Sequence, residues 1–376
     1  MVKQSAEHNI VITGIGWVTP LGDDVLCAWN SLMLGKDAFV EIPSRHKLRN
    51  NLCAVVPEIS YDLPVTDRLL YMTVTAAEKA LHNACLDRCD KKIVSVIGTS
   101  FADCLDNRSK QETLFASLAS QTKQALQLYR SPIFVSTACS SGSDALAVGF
   151  DLLCAGAAEV CLCGGIDVLT ELKRLGHSSL GTMSPTRLRA FDKRHDGTLL
   201  GEGAAFVVIE RRETHADSPI LGRILGYGAA NDAASMAAPS SDATGGRLAV
   251  KRALDLSGIT QDEVAAFCAH GSGTVLNDET EKAILNDIFS SNQELKVFAT
   301  KGSLGHSLGA TGAIQAIALL MALRTGMAPP IAGLEEKDPA IIPAVVNGQS
   351  AELKGNIGLS LTLGFGGFNT CLAVTA

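Results

Sequence analysis

Short runs of apolar, mostly β-branched residues alternate along this chain with longer stretches whose apolar residues recur at helical spacing. The pattern predicts a strand over 10–16 entering a Gly14/Gly16 turn, helices over 24–34 and 67–85, and a strand over 93–98. Residues 36–63 read as loop and 100–129 as polar with patchy helical character. A buried strand ending near 138 then feeds a helix over 145–155, followed by strands over 159–163 and 204–210 with a helix and loop between them. A second pass starts near 220: strand 220–227, a Gly/Ala/Ser-rich connection, helix 245–256, strand 264–269, helix 278–289, strand 296–300, helix 309–324 and a hairpin of 357–363 with 370–374. The element order repeats. Val94-Ser95-Val96-Ile97 matches Ala265-Ala266-Phe267-Cys268, and Phe134-Val135-Ser136-Thr137 matches Phe298-Ala299-Thr300-Lys301. The pattern is an internally duplicated α/β unit with halves 1–215 and 216–376, whose strand-end loops meet where the halves join.

One corner stands out in that frame. In Thr137-Ala138-Cys139-Ser140-Ser141-Gly142, Cys139 lies where a strand turns into a helix, flanked by small residues that leave room for a substrate. Unpaired N–H groups and the helix dipole at such a place favour a thiolate, which predicts a lowered thiol pKa. A free cysteine is otherwise usually a packed core residue.

Two histidines occupy corresponding corners of the second half: His270 in Ala269-His270-Gly271-Ser272-Gly273-Thr274, and His306 in Lys301-Gly302-Ser303-Leu304-Gly305-His306. The glycines of Gly364-Phe365-Gly366-Gly367 are able to aim backbone N–H groups at an oxyanion. The set suits one chemistry. A thiolate accepts an acyl group from a thioester, two neutral imidazoles stabilise an enolate formed on a second thioester, and Lys301 keeps those imidazoles uncharged.

Composition narrows the partners. Net charge is -7 over 376 residues with 47% hydrophobic content, which gives no basic footprint for nucleic acid or a membrane surface. The 11 cysteines show neither a disulfide pattern nor paired metal-ligand spacing, so the chain predicts no metal site and a reducing compartment. No signal peptide is visible before Asn9, and the apolar stretch 313–323 is too short to span a bilayer. These features predict a cytoplasmic protein. The Gly14/Gly16 pair lacks the third glycine and the acidic residue of a dinucleotide-binding turn.

These motifs, from Val11-Ile12-Thr13-Gly14-Ile15-Gly16 to Gly364-Phe365-Gly366-Gly367-Phe368-Asn369, resemble those of β-ketoacyl-[acyl carrier protein] synthases, the Cys-His-His class of the thiolase-like superfamily. The resemblance implies a five-layered α-β-α-β-α fold, usually dimeric, and decarboxylative Claisen condensation with malonyl-[acyl carrier protein]. It implies that Cys139 is the acyl-accepting nucleophile, that His270, His306 and Lys301 serve decarboxylation, and that the N–H groups of Cys139 and Phe365 form an oxyanion hole. Ser272 and Thr274 would contact the phosphopantetheine arm, with Phe365, His177 and Thr198 also lining the substrate pockets. No cofactor is implied beyond the phosphopantetheine that carries the substrates. Acyl carrier protein is the implied partner, with a homodimer or a heterodimer with a related ketosynthase-like subunit.

The chain departs from the family pattern at several points. Gln315 stands where a Glu is usual, His177 and Thr198 where phenylalanines are typical, and the segment between Ser100 and Ile133 is short, as in ketosynthases of specialised pathways such as aryl polyene pigments. Fatty-acid, polyketide and polyene synthesis therefore all stay open. So do an acyltransferase without carbon–carbon bond formation and a partner subunit of a heterodimeric ketosynthase. A coenzyme A thiolase would expect a second catalytic cysteine inside the C-terminal glycine motif, and Cys371 lies outside it.

Overall fold

The computed structural model describes residues 9–90, 92–100, 114–212 and 219–376. The first half contributes β1 (Ile10–Val18), the small ribbon β2 (Phe39–Glu41) and β3 (Leu52–Ala54), then β4 (Ile93–Gly98), β5 (Ile133–Val135), β6 (Val160–Asp167) and β7 (Gly203–Arg211). The second contributes β8 (Gly222–Asn231), β9 (Ala266–Cys268), β10 (Lys296–Phe298), three short strands, β11 (Met327–Ala328), β12 (Ala344–Val345) and β13 (Ala351–Glu352), and the hairpin β14 (Ile357–Gly364) and β15 (Phe368–Thr375). Helices α1 (Val25–Met33), α2 (Val65–Asn83), α3 (Leu114–Ala125), α4 (Ser141–Cys154) and α5 (Glu171–Ser179) belong to the first half. In the second half lie α6 (Thr244–Ser257), α7 (Val275–Phe289), α8 (Lys301–Leu304) and α9 (Thr311–Thr325).

Strand pairing confirms the duplication. The first half runs β5-β4-β6-β7-β1 and the second β10-β9-β14-β15-β8. In both, the first two pairings are parallel and the last two antiparallel. The halves join where Val11 and Ile12 of β1 pair with Arg223 and Gly222 of β8. Helix α2 covers β1 and β7 on one outer face, α6 covers β8 and β15 on the other, and α4 and α9 pack between the two halves of the continuous sheet. This is the five-layered arrangement.

The central pair of helices explains the small residues after Cys139. A Cβ on Gly142 would lie 2.8 Å from the backbone N of Ala313, and one on Gly312 only 2.2 Å from Ser143 Oγ. Bulk there would push α4 off α9 and separate the corners that carry the site. The Gly14/Gly16 pair likewise serves packing: Cβ atoms would sit 2.0 and 2.3 Å from the Ala80 and Ala76 carbonyl oxygens of α2.

Three elements differ from the sequence expectation. β5 is short and its first residue, Ile133, is 44% exposed, because β5 is the edge of the sheet and not a buried strand. β6 does not stop at Gly164-Gly165 but runs through them to Asp167. The turn Leu308–Ala310 and α9 together form an 18-residue apolar run, Leu308–Thr325, longer than the 313–323 stretch. By length and composition it is able to cross a membrane, yet 89% of it is buried inside the protein as the central helix of the core. Of the shortened segment between Ser100 and Ile133, residues 101–113 lie outside the described residues, and α3 occupies much of the rest.

Candidate active site

The chain enters the nucleophile corner through a constrained turn. Ala138 has φ +52°, Cys139 sits in the 3-10 turn Ala138–Ser140, and α4 begins at Ser141. The equivalent corner of the second half repeats this, with Leu308 at φ +47° in the turn Leu308–Ala310 ahead of α9. Left-handed backbone at non-glycine residues costs on the order of 1–3 kcal/mol each and persists where surrounding structure enforces it. Here the enforcement includes Ser141 Oγ, which receives the Thr137 N–H (2.9 Å) and donates to the Ala138 carbonyl (2.6 Å).

Cys139 is buried at the junction of two cavities. The first, of ≈ 250 Å³, is lined by His177, Thr198, His270, Ser272, Thr274 and His306 among others. The second, of ≈ 510 Å³, runs past Ser100, Ser136, Lys173, Met236 and Phe368. His177 and Phe365 border both, with their rings stacked at 5.5 Å and 22°. The structure thus brings all the sequence-selected side chains except Lys301 to one cavity wall, and Lys301 lies directly behind His270.

The thiol does not behave as the helix dipole suggests. Burial pushes the Cys139 thiol up to about 11; the N–H of Phe365, the charge of Lys301 and the N–H of Cys139 itself oppose this without overcoming it. Dehydration outweighs the helix terminus, so the resting group is a neutral thiol. The same two N–H groups, of Phe365 and Cys139, are directed at the Cys139 sulfur.

Hydrogen bonds assign the tautomers of the histidine pair. Lys301 Nζ donates to the His270 carbonyl, to Gln315 Oε1 (3.1 Å) and to His270 Nδ1 (3.3 Å). An ammonium only donates, so His270 Nδ1 carries the lone pair and Nε2 the proton. The Leu308 N–H donates to His306 Nδ1 (3.3 Å), which leaves its proton on Nε2 as well. Both imidazoles are held well below their ordinary pKa, by burial first and then by Lys301. The rings stand edge to face, centroids 5.2 Å apart. Two neutral N–H donors facing one cavity are what an enolate oxygen requires.

Several supporting groups are not evident from the sequence. Glu281 of α7 accepts the N–H groups of His270 (2.7 Å) and Gly271 (2.6 Å), and Asp278 accepts those of Phe191 (2.7 Å) and Gly273 (3.1 Å). Burial raises Glu281 to about 7 and Asp278 to about 6. Their signal was the Asp-x-x-Glu spacing just inside the helix that follows the His270 loop. Asp167, at the end of β6, accepts the N–H groups of Ser100 (3.0 Å) and Gly309 (2.8 Å) and pairs with buried Lys173. It thereby ties the nucleophile half to the His306 corner. Among the described residues no cluster of three or more His, Cys, Asp and Glu side chains gathers as a metal site.

Gln315 Oε1 accepts a hydrogen bond from Lys301 Nζ (3.1 Å) on one side, and its Nε2 donates to the Leu361 carbonyl (3.0 Å) on the other. The pocket is fitted to an amide. Gln315→Glu should therefore destabilise the fold by roughly 1–3 kcal/mol, because an oxygen would face Leu361 O and a third buried carboxylate would join Asp278 and Glu281. Urea unfolding reads this directly, and a variant as stable as the parent would contradict the assigned amide orientation.

Comparison with known proteins places these features in context. Residues 7–215 match the family model "Beta-ketoacyl synthase, N-terminal domain" and residues 221–335 match "Beta-ketoacyl synthase, C-terminal domain". The chain is 30% identical to 3-oxoacyl-[acyl-carrier-protein] synthase 2 of Synechocystis sp., covering 98% of each. It is also 30% identical to Nodulation protein E of a Rhizobium species, covering 98% of this chain and 99% of that one. Among solved structures it resembles the ishigamide ketosynthase/chain length factor, with a TM-score of 0.89, 28% identity and coverage of 99% and 100%. A β-ketoacyl synthase from Burkholderia phymatum gives a TM-score of 0.85 at 26% identity, covering 98% of this chain and 99% of that one.

Proposed function

This chain belongs to the β-ketoacyl synthase family, and from that premise we propose how its own side chains carry out the decarboxylative condensation. Cys139 receives an acyl group from a carrier thioester and holds it in the ≈ 510 Å³ cavity. Malonyl-[acyl carrier protein] then enters the ≈ 250 Å³ cavity, its pantetheine arm passing Ser272 and Thr274, whose hydroxyls are 3.0 Å apart. Loss of CO₂ leaves an enolate whose oxygen the His270 and His306 N–H groups stabilise, and its carbon attacks the acyl-Cys139 thioester to give a β-ketoacyl-[acyl carrier protein]. The observation that carries this reading is the pair of Nε2–H donors sharing a cavity with the cysteine. An acyltransferase that only passed the acyl group onward would have no use for a second, neutral donor pair.

The reaction needs no redox or metal cofactor, because decarboxylation itself supplies the carbanion. The protein acts in the cytoplasm with acyl carrier protein as its partner. It pairs with a second copy or a ketosynthase-like subunit, as the resemblance to a ketosynthase/chain length factor supports.

Lys173, Ser100, Ser136 and His177 put polar groups into the wall of an otherwise largely apolar acyl cavity. Lys173, Ser100 and Ser136 are already hydrogen-bonded within the protein, whereas the second ring nitrogen of His177 is open to the cavity and finds a partner in a polar chain but not in a saturated one. The enzyme should therefore prefer polar, unsaturated or aromatic acyl chains to long saturated ones, and should condense slowly in the absence of a partner subunit. Initial rates on a matched panel of acyl-carrier substrates measure this. Fast elongation of long saturated chains by the isolated protein would place it in ordinary fatty-acid synthesis instead.

A further inference from the structure

The polar side chains around the acyl cavity have spent their protons inside the protein. Ser100 Oγ donates to Asp167, Ser136 Oγ donates to the Ser100 carbonyl (2.7 Å), and Lys173 Nζ is turned to Asp167 and the Val168 carbonyl. A hydroxyl has one proton to give, so what the two serines keep for a ligand is acceptor capacity. His177, near the end of α5, adds a stronger acceptor. Its Nδ1 lies 2.9 Å from Thr182 Oγ1, and the same hydroxyl is 3.2 Å from the His177 carbonyl oxygen. Both contacts are satisfied when Thr182 donates to the carbonyl and accepts from Nδ1–H. The lone pair then sits on Nε2, which has no hydrogen-bond partner among the described residues. Burial, followed by Lys173, lowers the His177 pKa to about 4, so the ring is neutral and Nε2 stays an acceptor across the physiological range.

The ring stands where an acyl chain leaves the sulfur. Among the described residues, Cys139, His177, Leu180 and Phe365 alone border both cavities, which puts His177 at the neck between them. It stacks on Phe365, whose N–H is directed at the Cys139 sulfur. Leu172, Lys173, Gly176, His177 and Leu180 recur at helical spacing and turn one face of α5 and its C-terminal cap to the acyl cavity. Gly176 leaves space in that wall, since a Cβ there would meet nothing within 4 Å. A chain passing the neck therefore meets an open acceptor within its first few carbons, with room beside it for a substituent.

We propose that His177 selects acyl chains bearing a hydroxyl on one of the first few carbons from the thioester, with the O–H donating to Nε2. A ketone or a saturated carbon at that position brings no proton, so the donor sense of the contact sets the choice. Each condensation adds two carbons and leaves a carbonyl at C3. The reaction class that supplies such a chain is therefore carbonyl reduction not followed by loss of water, which places the hydroxyl at C3 and, one round later, at C5. The inference rests on the condensing-enzyme reading and names the class of chain that this reading loads onto Cys139.

The test is single-turnover loading of Cys139, read by intact-protein mass, from carriers charged with octanoyl, 3-hydroxyoctanoyl, 5-hydroxyoctanoyl and the two matching ketones. Wild type should load one of the hydroxyacyl chains roughly tenfold faster than octanoyl, the order expected when a buried acceptor gains its donor. The matching ketone, which keeps the oxygen and lacks its proton, should lose that advantage. His177→Phe keeps an aromatic stack on Phe365 but removes the acceptor. It should bring the ratio of hydroxyacyl to octanoyl loading to about one while loading octanoyl at least as fast as wild type. His177→Gln, which retains an acceptor, should keep part of the preference. No preference in wild type, a ketone loaded as well as its alcohol, or a preference that survives in His177→Phe would overturn the proposal. So would equal slowing of every chain in His177→Phe, because a ring that only packs the neck or holds the pantetheine arm does not tell chains apart. Extension of the loaded octanoyl group by malonyl-[acyl carrier protein] in the same samples tests the condensing-enzyme reading separately. Its success without any hydroxyl preference would sink this inference alone.

Discussion

Cys139→Ala should show no acyl loading at all, with the fold retained. Among the described residues the sulfur is the one atom in the shared corner of the two cavities that is able to form a thioester. The nine other cysteines among the described residues are free but lack this setting. Cys268 and Cys371 are buried in the β9 and β15 strands of the core, and burial pushes the Cys268 thiol up to about 12 and that of Cys371 higher still. The substitution removes one buried atom from a residue whose backbone is fixed by Thr137, Ser141 and α4, so its cost in stability is about 1 kcal/mol. Peptide mapping after incubation with acyl-carrier thioester checks the assignment in the wild type, and circular dichroism checks folding of the variant. An acyl group found on any other cysteine would refute it.

The second large effect belongs to the histidine pair. His270→Ala or His306→Ala should each slow malonyl decarboxylation by roughly 10²–10³-fold, the usual consequence of losing one donor to a developing oxyanion. Loading of Cys139 should suffer far less, because that step uses the Phe365 and Cys139 N–H groups. The double variant should fall little below the worse single one, since one remaining donor already leaves the enolate poorly held. Following ¹⁴CO₂ release and mass-detected loading in parallel separates the steps. Equal losses in both would show that the histidines act on the thiol instead.

Much of the architecture is legible in the sequence because the duplication is written in periodicity. β4 falls where 93–98 predicts it, and the final hairpin lies within a few residues of its expected ends. Cys139, His270 and His306 are visible because small residues surround each at a strand-end corner, where a core side chain would not be tolerated. The thiol's protonation differs from the sequence expectation because a helix terminus is visible in sequence and the depth of burial is not. Glu281, Asp278 and Asp167 are not legible in the sequence because they act by accepting backbone N–H groups from positions 11, 5 and 142 residues away in their respective bonds. β5 has the composition of a buried strand but ends the sheet, and strand order is a property of the tertiary fold. Gly165 mid-strand is another tertiary effect: a Cβ there would lie 2.7 Å from the Gly309 carbonyl oxygen.

The central claim is that acyl loading on Cys139 and enolate formation at the histidine pair are joined by carbon–carbon bond formation. It is tested most directly by isolating the acyl-Cys139 enzyme, adding malonyl-[acyl carrier protein], and following the masses of both proteins. The account predicts that the enzyme loses its acyl mass as CO₂ is released and that the carrier gains a β-ketoacyl chain two carbons longer than the loaded one. Discharge of the acyl group onto another nucleophile, with the malonyl unit left intact, would contradict it.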